Sequence, residues 1–209
     1  MILAKFGFYK EAHLYPAVVA HLSQYEQDLK NRGQCRYGRR GKQFIADYPG
    51  QHHWLELDNN PSDEYLAEFK KEKVVYSEIV REPQFYYDTE KFYVEATAFL
   101  MTGSHLRYLC GLLNSRPVEF FFKRYYAGGG LGEEGYRYKK AFLENLPIPP
   151  ITPKNQSLVA DIESLVDQIL AQRRGNPDAD TRDLERAIDE LVYRLYDLTH
   201  DEIRLIEGK

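Results

Sequence analysis

The chain has 209 residues, 43% of them hydrophobic and 14% aromatic, including 17 Tyr, with a formal net charge of −4. That composition supplies a core and excludes a disordered coil. No apolar run approaches the ~20 residues needed to cross a bilayer. The first ten residues lack the apolar stretch and small-residue cleavage pattern of a signal peptide. Cys35 and Cys110 have no partner spacing for zinc, so a reduced, cytoplasmic protein without structural disulfides is expected. Charge is placed unevenly: residues 151–209 carry 8 Lys/Arg and 13 Asp/Glu, whereas 1–150 carry 20 and 19. The average therefore hides local basic patches.

In chain order, Tyr15-Pro16 opens a predicted helix, because proline is tolerated at a first helical position. Val18, Leu22, Tyr25 and Leu29 recur at helical spacing up to Asn31-Arg32-Gly33. Lys30 to Lys42 then holds six basic residues (Lys30, Arg32, Arg36, Arg39, Arg40, Lys42) and no acidic one. An aromatic stretch, His53-Trp54-Leu55-Glu56-Leu57, follows. Asp63 to Lys73 reads as a charged helix with Tyr65, Leu66 and Phe69 on its apolar side. Lys73–Val80 and Phe85–Tyr87 read as strands. Asp88-Thr89-Glu90-Lys91 reads as a turn into the alternating segment Phe92–Phe99, which predicts a hairpin.

Thr102-Gly103-Ser104 offers an N-cap for a helix carrying Leu106, Leu109, Cys110 and Leu113, and Pro117 restarts a second with Val118, Phe121, Phe122 and Tyr125. A glycine-rich loop, Gly128-Gly129-Gly130-Leu131-Gly132, comes next. Gly103 to Ala141 holds seven basic residues against three acidic. Leu146-Pro147-Ile148-Pro149-Pro150 reads as a stiff connector and a boundary. Beyond it, Leu158, Ile162, Leu165 and Ile169 form one helical stripe. Leu184, Ile188, Leu191, Leu195 and Leu198 form a second after Gly175-Asn176-Pro177, and Thr199 with Glu202 makes a capping box. The expected fold is α/β in the α+β sense. A mixed or antiparallel sheet flanked by helices fills 1–150, and a C-terminal helical hairpin fills 151–209.

Motifs for catalysis are absent or out of context. Gly130-x-Gly132-x-x-Gly135 matches a dinucleotide fingerprint, but an aromatic, basic helix precedes it where a buried strand is needed, and Glu133-Glu134 would face the phosphates. Asp63 with Glu68 and Lys70 could gather a metal for nuclease chemistry, against the plainer alternative of a solvated helix face. His52 and His53 are neighbours that point apart in a strand and do not share a metal. Cys110 falls on an apolar stripe, where a packed small residue is expected.

Recognition chemistry remains. Arg36, Tyr37, Arg39, Arg40, Lys42 and Gln43 occupy one segment in which Gly33, Gly38 and Gly41 allow close backbone approach. Lys123, Arg124, Tyr136, Arg137, Tyr138 and Lys139 surround the glycine loop. Arg and Lys bond in pairs to guanine and Gln to adenine, so both sets are expected to bind duplex DNA. The rival is a protein-interaction adaptor that uses the acidic helical tail while the basic loops are merely solvated.

Lys73-Val74-Val75-Tyr76-Ser77-Glu78-Ile79 with Pro83-Gln84-Phe85-Tyr86-Tyr87-Asp88 resembles the "K-I-V-Y-P-E-I … P-R-F-Y-x-D" block of the TaqI-like C-terminal specificity domain. Leu106-Arg107-Tyr108-Leu109, Leu112-Leu113-Asn114-Ser115 and Phe121-Phe122-Lys123 resemble its helix block. Gly135-Tyr136-Arg137-Tyr138-Lys139 through Leu146-Pro147-Ile148-Pro149 resembles its closing block, and Trp54-Leu55-Glu56-Leu57 its "W-Y-E-L". The tail from Ile188 to Thr199 is similar to the end of such enzymes. The resemblance implies the target-reading part of an adenine-specific DNA methyltransferase or fused restriction–modification enzyme. The Asn-Pro-Pro-Tyr motif and glycine-rich S-adenosylmethionine site of those enzymes do not occur in this sequence. The expectation is an excised domain or separate specificity subunit, with no cofactor of its own and no membrane association. Its partners would be double-stranded DNA and a methyltransferase or endonuclease domain or subunit. The 151–209 hairpin would dock that partner or a second copy, giving a homodimer.

Overall fold

The computed structural model describes residues 2–32, 35, 52–94, 97–126 and 135–209, with the backbone of two short strands at 39–40 and 43–44. The chain divides into two compact units, Met1–Glu68 and Phe69–Lys209.

In the first unit, Gly7 at φ 96° starts α1 (Phe8–Glu11), and a 3₁₀ turn (Ala12–Leu14) leads to α2 (Pro16–Ser23), with its proline in the first turn. The single helix expected from Pro16 is broken at Gln24–Tyr25. Their N–H groups donate to His21 and Leu22, three residues back, before α3 (Glu26–Lys30) resumes. The spacing was helical, but α2 and α3 bury no residue. Helices this short are marginal without an apolar face to bury. β1 (Arg39–Arg40) pairs antiparallel with β2 (Gln43–Phe44), and the unit closes with α4 (Asp63–Glu68). Among the described residues it buries Ala4, Cys35 and Leu55 beside the polar His52, His53 and Glu56.

In the second unit, β3 (Lys73–Ser77) is the centre of a three-stranded antiparallel sheet. Flanking it are β5 (Phe85–Asp88) and β6 (Ala98–Met101), with Tyr76 opposite both Phe85 and Phe99. The hairpin expected between 85–87 and 92–99 does not form, since both partners pair with β3 instead. Asp88 causes this. Its carboxylate accepts the N–H groups of Glu90 and Phe92 and pairs with Lys73, so the chain turns away and Phe92 and Tyr93 are exposed. Nor does the strand run unbroken from Lys73 to Val80. β4 (Ile79–Val80) instead pairs antiparallel with β7 (Tyr136–Arg137).

Helices α5 (Leu106–Asn114) and α6 (Arg116–Tyr125) follow. The residue before α5 is His105, at φ 55° and with no side-chain cap, so Thr102-Gly103-Ser104 does not serve as the N-cap. α5 buries Leu106, Tyr108, Cys110, Leu112 and Leu113. At its last turn Asn114 brackets β5: the Phe85 N–H donates to Oδ1 (3.0 Å) and Nδ2 donates to the Phe85 carbonyl (2.8 Å). A side-chain amide thus supplies the pairing that an edge strand lacks.

After α7 (Lys140–Leu143) the proline-rich segment is not a boundary. Leu146 is buried, Tyr108 donates its hydroxyl to the Pro149 carbonyl, and Tyr196 donates to that of Pro147. Helices α8 (Gln156–Gly175) and α9 (Arg182–Leu195) place Val159, Ile162, Val166, Ile188 and Val192 in the same core as the sheet and α5. Gly111 lets α5 and α8 cross closely, since a Cβ there would lie 2.6 Å from Ile162 Cγ2. The C-terminal hairpin therefore belongs to this core, and its apolar stripes, turned by about one residue from those expected, face inward. The stripes expected to dock a partner or second copy pack against α5 and α6 of the same unit. The capping box forms as expected: Glu202 N–H donates to Thr199 Oγ1, and Thr199 N–H to the Glu202 carboxylate, starting α10 (His200–Ile206).

Candidate nucleic-acid interface

Five of the six expected side chains around the glycine loop lie at or near the surface of the second unit. α6 ends in Lys123, Arg124 and Tyr125, the last 67% exposed. Lys123 is held in place, ion-paired with Glu119 one turn back and standing 4.7 Å above the Tyr136 ring. Arg124 and Lys139 are exposed. Arg137 Nε lies 3.5 Å from Glu78 Oε1, so a carboxylate belongs to this basic cluster. Backbone shape here depends on Gly135 at φ 110°, where a side chain would run into the Val80 carbonyl.

Tyr138 is the exception among the expected DNA contacts. It is 2% exposed, stacked on Phe122 at 4.1 Å and edge-on to Phe85 at 5.7 Å. Strand β7 ends one residue earlier, and the Tyr138 N–H donates to the Glu78 carbonyl, which turns the ring into the core. Burial pushes its hydroxyl above the ordinary tyrosine range. Tyr138 thus contacts protein, and an alternating sequence of basic and aromatic residues did not show which ring points inward.

In the first unit, Arg39, Arg40 and Gln43 lie on the β1–β2 ribbon, in the register Arg39 to Phe44 and Arg40 to Gln43. Arg36, Tyr37 and Lys42, the neighbouring glycines, and the loop from Gly128 to Glu134 lie outside the described residues. Of the six basic residues counted from Lys30 to Lys42, two have described side chains, and both are engaged internally. Lys30 pairs with Glu26 and lies over the Trp54 ring. Arg32 donates to three backbone carbonyls.

Residues 35–148 match the model of the TaqI-like C-terminal specificity domain, more than half of the chain. The chain belongs to this family. No curated protein matches it. A TaqI-like specificity domain is a DNA-recognition part of restriction–modification systems and is not itself catalytic; membership implies DNA and a methyltransferase as partners. Its sequence blocks have structural work to do. Lys73 and Asp88, at opposite ends of the strand block, form the buried ion pair across β3 and β5, and Asn114 of the helix block completes the edge of β5. The match ends at residue 148, whereas the hydrophobic core of the second unit continues into α8 and α9.

Other sequence candidates find ordinary roles within the matched residues. Asp63 is ion-paired with Lys5 at 2.6 Å, and among the described residues no group of three or more His, Cys, Asp or Glu could hold a metal. Burial pushes the Cys110 thiol up to about 12, far from the thiolate a nucleophile needs. His52 and His53 are both buried, and the His52 ring contacts the His53 carbonyl. Among the described residues no helix is long and apolar enough to cross a membrane.

Proposed function

We propose that this chain is the specificity part of an adenine-specific DNA methyltransferase system, that it carries no catalytic centre, and that it works in the cytoplasm. The observation that carries the proposal is the specificity-domain match over residues that include Arg36 to Gln43 and Lys123 to Lys139. Lys and Arg neutralise phosphates and set register on the duplex, while Arg, Gln and Tyr side chains discriminate base edges. In the second unit, Arg124, Lys139 and the Lys123–Tyr136 pair are suited to the backbone. In the first, Arg39, Arg40 and Gln43, together with Arg36, Tyr37 and Lys42, carry the chemistry for guanine and adenine. S-adenosylmethionine would bind the partner methyltransferase domain, which would also take the target adenine out of the stack. This chain would hold the surrounding duplex. Two buried free cysteines fit a reducing compartment.

The test is selection from a random duplex pool by this chain joined to its neighbouring methyltransferase. A recurrent short motif methylated at an adenine is expected. Recovery of unrelated sequences would refute the proposal.

A further inference from the structure

We infer that Arg32 is a positioning residue for the β1–β2 ribbon and is not itself one of the phosphate contacts. The inference rests on the proposal that this ribbon reads DNA. A guanidinium presents five donors in a rigid plane. Here Nε donates to the Leu29 carbonyl (3.0 Å), Nη2 donates to those of Trp54 (2.9 Å) and Glu56 (2.6 Å), and Nη1 pairs with Asp58 (2.7 Å). The side chain is 26% exposed, so most of it is turned away from any ligand.

Its partners are fixed in turn. The Glu56 carboxylate, on a residue 2% exposed, accepts the N–H groups of Gly7 (2.6 Å) and His53 (2.7 Å), and the Leu57 N–H donates to the Ala4 carbonyl. The chain leaving α3 and the chain returning at His52 therefore meet on this side chain. A second rung stands beside it: Cys35 and His52 form a parallel bridge, and the Cys35 N–H donates to the Arg32 carbonyl. Arg39–Arg40 and Gln43–Phe44 lie between these two ends in sequence. Arg32 thus ties together the two described ends of the segment that carries the ribbon. Lysine carries the same charge but has no plane of donors to reach several carbonyls at once.

The experiment compares wild type with Arg32→Lys, each as the full chain with its methyltransferase partner. The probes are the duplex recovered from the random pool and a scrambled duplex of equal length and composition. Losing these charge-assisted bonds should weaken affinity for the recovered duplex about tenfold or more. Affinity for the scrambled duplex and the dependence on salt should match wild type, which loss of a phosphate contact would not allow. Asp58→Asn, which loosens the same guanidinium more gently, should shift discrimination the same way by less. Undiminished discrimination in Arg32→Lys overturns the inference. So does an Arg32→Met variant that loses affinity equally on both duplexes with a shallower salt dependence. Hydrogen exchange at the ribbon amides of the DNA-free protein gives a readout that needs no target sequence. Exchange faster than wild type in Arg32→Lys supports the inference, and unchanged exchange overturns it. Faster exchange in a system whose wild type recovers no duplex would uphold the positioning role and sink the DNA-reading proposal alone.

Discussion

Replacing Lys73 by methionine should destabilise the second unit more than any surface substitution. Lys73 and Asp88 face each other across β3 and β5, and both side chains have 0% exposure. The ammonium also donates to the Phe69 carbonyl (3.1 Å), and the carboxylate accepts from Glu90 and Phe92 (both 2.8 Å). Methionine matches the volume but leaves a buried carboxylate without its cation. Breaking one partner of such a pair costs about 3–5 kcal/mol, or a melting point lower by roughly 10–15 °C for a unit of this size. Adding Asp88→Asn removes the orphaned charge and keeps one oxygen for the turn. The double variant should therefore be more stable than the sum of the single changes implies, by about 2 kcal/mol. Urea denaturation followed by circular dichroism measures all four corners of this cycle. A loss below about 1 kcal/mol for Lys73→Met, or strict additivity, would refute the reasoning.

Gly135→Ala should cost about 2 kcal/mol or more, because the residue sits at φ 110° with the Val80 carbonyl in the way; chemical denaturation reads this directly. Tyr138→Phe should leave stability and DNA affinity near wild type, since the buried hydroxyl has no hydrogen-bond partner among the described residues, whereas Tyr138→Ala should lose about 3–5 kcal/mol. Burial pushes the Asp189 carboxyl up to about 6, against the opposing pull of the Arg116 N–H at 2.9 Å. The folded state thus holds that proton more tightly than the unfolded chain, so stability should fall as pH rises from about 4 through 6. Because solvent partly reaches the site, the fall is about 1–2 kcal/mol. Asp189→Asn should flatten that slope in denaturation measured across pH, and an unchanged slope would remove Asp189 as its source.

Where helices bury an apolar face, their positions could be read from spacing alone, as with α5, α6, α8 and α9. The phase was harder: Val159 and Val166 are among the buried positions of α8, while Leu165 only flanks the core. Spacing overreached at 18–29, where no core fixes the helix. It failed on the sheet because strand pairing depends on a distant partner: nothing local to Asp88 shows that Lys73 waits across β3. Proline-rich composition likewise mimicked a linker at 146–150, although the carbonyls there accept tyrosine hydroxyls from α5 and from just beyond α9. Of the basic residues, sequence marked the segments correctly as charged but could not tell a surface arginine from Arg32, which bonds to Leu29, Trp54, Glu56 and Asp58 of its own unit. The Lys123–Glu119 pair was legible as a one-turn spacing. The Arg137–Glu78 contact was not, since it exists only once β4 and β7 pair.

Duplex recognition through phosphate-neutralising side chains is most directly tested by plotting the logarithm of affinity against the logarithm of salt concentration, for wild type and for a double variant of exposed residues, Arg124→Ala with Lys139→Ala. Wild type should lose affinity steeply as salt rises, and the variant's slope should be shallower by about one for each phosphate contact removed. Duplex binding that is absent at low salt, or a slope identical in the two proteins, would contradict the account.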